Sequence, residues 1–257
     1  MFGRKVTGGA CVAALALFAS ASIASAEDRQ FGYALTLTGA SDYLFRGISF
    51  TDNGPTVNAY QELSYGILYA AAWTSNINNG AYGPWEQDIY VGIRPVTGPV
   101  NWDLQALYYT YGNRDGSSSD IDYFEFKIGA TTTLREGLTV GANIFLTPDQ
   151  GAAATSNISY EGTVAYDLPK FAQFAPQFTA LVGHTDAGDN AFYNGGAQSG
   201  YWNGVQSYTY WNAGVKVNVD KFFMDFRYSD TDIGSAGIDP GLSDARFVFS
   251  AGVNLLP

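Results

Sequence analysis

Residues 206–230 read QSYTYWNAGVKVNVDKFFMDFRYSD. Trp211, Ala213, Val215, Val217 and Val219 alternate with Asn212, Gly214, Lys216 and Asn218. Asp220 and Lys221 interrupt the pattern, after which Phe222, Met224, Phe226 and Tyr228 alternate with Asp225 and Arg227. A period of two places alternate side chains on opposite faces of a β-strand. A two-residue polar break between two such runs reads as a hairpin turn. The stretch therefore predicts two long antiparallel strands, each with one apolar and one polar face.

The pattern repeats along the chain, and helical periodicity is almost absent after residue 26. It predicts twelve strands, roughly at 31–42, 55–65, 67–77, 85–95, 99–111, 121–133, 137–147, 156–168, 175–185, 206–219, 222–230 and 244–256, with ends good to about 2–4 residues. In a soluble sandwich or barrel the apolar face turns in. In an outer-membrane barrel it turns to lipid, and the polar face lines the lumen. Three features favour the second. The strands have the ~9–11 residues of a tilted membrane strand or more, where ordinary strands average ~5–6. Trp73, Trp85, Trp102 and Trp211 fall near strand ends with apolar-face parity, as an aromatic girdle would. Long connections (43–54, 78–84, 112–120, 148–155, 186–205, 231–243) alternate with tight ones such as Tyr65-Gly66 and Asp220-Lys221. The predicted fold is all-β: a closed antiparallel transmembrane barrel of about twelve strands, long loops outside and short turns on the periplasmic side.

Composition agrees. Aromatic residues make up 16% and charged residues only 14% of the 257, against about 25% charged in a soluble domain. Residues 1–26 have a basic start (Arg4, Lys5), a short apolar run and Ala24-Ser25-Ala26 at the end. That is the pattern of a cleaved secretory signal, leaving 27–257 as one barrel domain. The predicted location is a bacterial outer membrane, reached through the periplasm. The remainder has no cysteine, which excludes disulfide frameworks and thiolate sites. It carries 11 basic and 24 acidic residues, a net charge of −13. Nucleic acid is not an expected partner, since binding it needs a basic footprint; lipid and small polar solutes are.

Ser41-Asp42-Tyr43-Leu44-Phe45-Arg46-Gly47, followed by Asn53-Gly54-Pro55, sets one guanidinium among large apolar groups. Residues 60–76, YQELSYGILYAAAWTSN, continue it. Over residues 33–76 the sequence resembles the TorF-type porin family of proteobacteria. That resemblance implies an outer-membrane barrel and supplies no catalytic residues. The chain departs from the usual aromatic terminus of such barrels by ending Leu255-Leu256-Pro257. In this setting the apolar groups at 43–50 either ring the outer rim or fold inward as a cap. Arg46 either meets the lumen mouth or headgroup phosphates, or pairs with a lumen carboxylate to hold the loop.

Parity turns Glu62, Glu86, Asp88, Asp103, Glu125, Glu161 and Asp225 inward, with Arg94, Lys127, Lys216, Arg227 and Arg246 opposing them. These are the candidate pore-lining residues. Small inward residues such as Gly92, Gly129, Gly141, Gly214 and Gly252 suggest a narrow polar pore; a ladder of ion pairs filling the lumen is the alternative. The long loops are acidic, which favours cations at a mouth. No cofactor or metal motif is present. His184, the only histidine, has outward parity, and no serine can be assigned beside it because Ser159 on the preceding strand faces inward. The sequence thus predicts a non-enzymatic channel for passive diffusion of small polar or ionic solutes, mildly favouring cations. The alternatives are a non-conducting structural or adhesive barrel and, remotely, a lipid-modifying enzyme.

Overall fold

The computed structural model describes residues 30–79, 83–112, 122–150, 153–187, 205, 207–234 and 240–256. Residues 1–26, read above as a secretory signal, and the loop acids Asp115, Asp120, Asp189 and Asp239 lie outside the described residues. The strands in chain order are β1 (Phe31–Ala40), β2 (Leu44–Phe45), β3 (Ile48–Ser49), β4 (Thr56–Tyr65), β5 (Leu68–Asn79), β6 (Gly83–Ile93), β7 (Val96–Thr97), β8 (Val100–Tyr111), β9 (Tyr123–Arg135), β10 (Leu138–Thr147), β11 (Asn157–Asp167), β12 (Ala175–Ala187), β13 (Ser207–Val219), β14 (Phe222–Thr231) and β15 (Arg246–Leu256). A single helical turn, α1 (Pro240–Ser243), precedes β15.

Twelve of these strands, each 10–13 residues long, form one closed antiparallel barrel. Each pairs with its neighbour in sequence, and β15 returns to β1. Closure removes the edge that an open sheet would expose, so every ladder position finds a partner without water. The side chains are arranged opposite to those of a soluble barrel. On β6, Ile89 is 47% and Val91 53% exposed, while Asp88 between Gln87 and Ile89 is only 4% exposed. The same inversion runs round the wall: Phe124, Phe126, Ile128, Phe222 and Phe226 point out, and Glu125, Lys127 and Asp225 point in. Two-residue turns at Gly66-Ile67, Glu136-Gly137 and Asp220-Lys221 share one end with both termini.

At the other end one connection differs from expectation. Residues 78–84 read as a loop, yet β5 continues to Asn79 and β6 begins at Gly83. The polar run Asn76-Ile77-Asn78-Asn79 is a strand extension that absorbs a register irregularity.

The apolar core lies inside the barrel and is built around the first long connection. β2 and β3 form a hairpin that turns at Arg46-Gly47 and projects into the lumen. Both turn residues have positive φ, +48° and +85°, the backbone that a two-residue hairpin with the right twist demands. A side chain at Gly47 would sit 2.5 Å from Thr231 Cγ2, so glycine is required here on two counts. Asp42 closes the base of the hairpin. Its Oδ1 accepts from Ser49 Oγ at 2.6 Å and Thr51 Oγ1 at 2.8 Å. Phe50 accepts from the Asn78 amide at 2.8 Å, tying the hairpin to β5. Tyr43, Phe45, Ile48 and Phe50 then pack among Tyr60, Trp73, Tyr90, Tyr109 and Tyr210 of the wall. Of the two sequence-level alternatives for residues 43–50, the structure takes the inward cap.

Candidate functional site

The lumen divides into two halves of different character. In the half nearer the long connections, the hairpin fills the bore and the lining is buried. Arg46 is 2% and Glu125 0% exposed. Arg46 Nη2 donates to both Glu125 oxygens, at 2.8 and 2.7 Å. Tyr109 and Thr147 donate to the same carboxylate at 2.9 and 2.8 Å. The guanidinium also lies over Phe45 and Phe145, at 4.8 and 5.0 Å. A buried charge without such company costs several kcal/mol. Here the carboxylate has four donor contacts and the cation two aromatic faces. The left-handed backbone at Arg46 aims the side chain at this seat.

Beside it, Glu86 and Asp88 point inward from β6 and are 1% and 4% exposed. Tyr90 donates to Asp88 Oδ2 at 2.7 Å. Glu86 accepts from Tyr43 and Tyr111 and shares a hydrogen bond with Asp88, whereas Asn58 Nδ2 and Oδ1 and Trp73 Nε1 have no hydrogen-bond partner. Among the described residues neither Glu86 nor Asp88 is ion-paired with a base.

The half nearer the short turns is polar and partly accessible. Arg94, one residue past the end of β6, reaches Glu62 through two nitrogens at 2.7 and 2.8 Å and lies 3.8 Å over the Tyr69 ring. Asp103 accepts from Lys127 at 3.0 Å, Tyr69 at 2.7 Å and Gln105 at 2.6 Å. Arg227 donates to Asp225 at 2.8 Å, Asn212 at 2.9 Å and Thr179 at 3.0 Å. Glu161 lies deeper, 4% exposed against the hairpin's core, and accepts from Asn143 and Tyr210, at 3.0 and 2.9 Å. Lys216 lies 4.3 Å from the Phe223 ring. All these residues, chosen by parity, do share the inner face. Arg246 is different: it sits at the rim, where it clasps Asp42 at 2.9 Å and also reaches Asn53, both in the hairpin segment. The pocket around it is lined by Ser41, Asp42, Asn53 and Asp244. It holds the hairpin's base and does not line the bore.

Three expectations need correction. Trp73 is not an interfacial residue: it points inward, is 1% exposed and packs 5.0 Å from Tyr43 of the hairpin. Ala70-Ala71-Ala72 before it have no polar member to set the parity. Trp85 and Trp211 face outward and are 40% and 36% exposed, while Trp102 faces outward with its Nε1 on Thr97 at 2.7 Å. Second, inward glycines do not widen the bore. A side chain at Gly92 would strike the Tyr69 hydroxyl at 2.6 Å, and one at Gly252 the Phe223 ring at 2.4 Å. Gly129, Gly141 and Gly214 are closed in likewise by the Asn143 and Thr163 side chains and by the Phe226 carbonyl, at 2.8, 2.7 and 2.4 Å. Third, His184 does have a serine beside it. Ser207, on the following strand, lies 3.2 Å from Nε2, and Thr209 lies 3.1 Å from Nδ1. Ser159 does face inward, 0% exposed. Sequence spacing missed Ser207 because the pairing partner of β12 on that side lies across a long connection.

Among the described residues, no three His, Cys, Asp or Glu side chains converge on a possible metal position.

Comparison with known proteins places this geometry. The NanC porin structure is similar in fold, with 11% identity, a TM-score of 0.56, and coverage of 86% of this chain and 98% of that one. LpxR from Salmonella typhimurium aligns at 7% identity and TM-score 0.47 over 87% of this chain and 100% of that one. A further porin structure aligns at 13% identity and TM-score 0.38, covering 78% and 62%. No curated protein matches the sequence. The first of these likenesses shows the fold, that of an outer-membrane porin barrel. A family model matches residues 24–238, and the chain belongs to that family, described as bacterial protein of unknown function (Gcw_chp).

Proposed function

We propose that the chain is an outer-membrane channel for small polar or ionic solutes, mildly favouring cations, with the 41–55 hairpin as its closing element. One observation carries this reading. The bore is filled in one half by a chain segment whose tip is latched by the Arg46–Glu125 ion pair and whose base is held by Arg246, and lined in the other by charged, partly accessible side chains. Wall side chains alone do not fill it. Withdrawing the hairpin would leave a passage lined by more carboxylates than bases, which favours cations. The apolar outer face supports a membrane setting, with long connections outside and short turns in the periplasm. The signal-like residues 1–26 and the resemblance of residues 33–76 to TorF-type porins support the same location.

A second reading has its own support. The hairpin's apolar side chains are buried with those of the wall in one cluster, which suits a non-conducting structural barrel. Planar-bilayer recording of refolded protein in a potassium chloride gradient separates the two. Discrete steps with a reversal potential displaced toward potassium support the channel. Silence from protein that keeps heat-modifiable migration supports the structural barrel.

A further inference from the structure

We propose that the seat of Arg46 is a binding site for guanidinium- and ammonium-bearing solutes, and that the hairpin's arginine occupies it as an internal stand-in for such a ligand. The inference rests on the channel reading and names its solute class.

The seat belongs to the wall. Glu125 and Phe145 contact the cation, and Tyr109 and Thr147 fix the carboxylate by hydrogen bonds. Only the guanidinium and the Phe45 ring come from the hairpin. Both carboxylate oxygens accept from the single nitrogen Nη2, and the flat cation lies against two aromatic rings, a geometry that suits a small guanidinium or ammonium group. An anion would meet carboxylates, and the absence of a metal-type cluster among the described residues argues against a bare divalent ion.

The seat is also richer in acid than one arginine requires. Asp88 pairs across the sheet with Tyr109, whose hydroxyl is bound to Glu125. Glu86 pairs across the sheet with Tyr111. Three buried carboxyls thus share this part of the lumen with one guanidinium. Two of them have no ion-pair partner among the described residues. The Asn58 side chain, 2% exposed and without a partner at either polar atom, faces the same compartment from β4. Buried polar atoms are nearly always satisfied in proteins, so the unpartnered Asn58 amide facing an acidic, aromatic wall points to a polar ligand, and the excess of carboxyls to a cationic one.

The ion pair latches the hairpin, and it is the part of the hold that a solute cation can replace. Tyr43, Phe45, Ile48 and Phe50 contribute apolar burial beside it, and an apolar pair of similar volume would commonly be as stable as a buried ion pair. An arginine here makes the closure reversible by a competing cation.

The test is calorimetric titration of methylguanidinium chloride into the refolded full chain. Wild type should bind weakly, since Arg46 competes. Arg46→Ala should bind at least tenfold more tightly, and Arg46→Ala with Glu125→Gln should lose that gain. Equal affinity in wild type and Arg46→Ala, or gain retained without Glu125, overturns the proposal. If Arg46→Ala loses heat-modifiable migration, Arg46→Lys takes its place, keeping the charge without the fork. It should bind methylguanidinium at least threefold more tightly than wild type, and equal binding overturns the proposal. Channel recordings on the same protein keep the two readings apart. Conductance without binding removes the seat and keeps the channel; binding without conductance keeps the seat and removes the channel.

Discussion

Replacing Arg46 by alanine should release the hairpin without opening the barrel wall. The substitution leaves Glu125 fully buried, with Tyr109 and Thr147 still donating but no cation. Removing one partner of a buried pair costs about 3–5 kcal/mol. That cost falls on the seated hairpin, because a released hairpin lets water reach Glu125. The twelve-strand ladder is not involved. At about 1.4 kcal/mol per tenfold, the population of released hairpin should rise by about a hundredfold or more. A thiol reads this directly. Cys11 is the only cysteine in the sequence, so a Cys11→Ser background with Ile48→Cys reports on one site, buried in the hairpin. Its labelling rate by a water-soluble maleimide should rise about a hundredfold in Arg46→Ala. A control thiol at Gln105, in the accessible half, should be unaffected. A rise of less than fivefold at Ile48→Cys would refute the claim that the ion pair latches the hairpin.

Other perturbations separate inside from outside. Gly47→Val meets both a positive φ and the Thr231 methyl group, so it should release the hairpin as Arg46→Ala does, in the same labelling assay. Val91→Arg on the outer face should destabilise the barrel by about 2–4 kcal/mol in urea titrations from lipid vesicles if it lies near the bilayer midplane; an effect below 1 kcal/mol would contradict a lipid-facing position. His184→Ala should leave ester hydrolysis by the protein in lipid vesicles at background, as in wild type. Wild-type hydrolysis abolished by both His184→Ala and Ser207→Ala would instead make their 3.2 Å contact catalytic.

The barrel was legible in the sequence because its determinant is local. Alternation on single strands, such as Val215 to Val219 or Phe222 to Tyr228, assigns faces without knowledge of partners. The plug was legible only as one of two alternatives, an inward cap with Arg46 on a lumen carboxylate, for the opposite reason. Tyr43-Leu44-Phe45 has no alternation, and the fate of Arg46 is decided by a carboxylate 79 positions away. Parity placed the lumen charges on the inner face but did not show how far along the bore each lies, so Arg246 at the rim and Glu125 at the plug looked alike. Trp73 failed because the alanines beside it do not alternate in polarity. The glycines misled because the space at a wall glycine is set by atoms of neighbouring strands, as with Gly252 and the Phe223 ring. Ser207 beside His184 depended on a cross-strand register that no spacing rule reaches.

The central claim is that the 41–55 hairpin, not the wall, closes the bore. Replacing residues 44–49 by two glycines removes the hairpin tip, including Arg46, and leaves the twelve wall strands intact. Single-channel recording of this variant beside the intact chain, in the same bilayer and salt, tests the claim most directly. The shortened chain should show a long-lived open level of larger conductance than the intact chain, with a cation-biased reversal potential. The same conductance in both, or silence in both from folded protein, would contradict it.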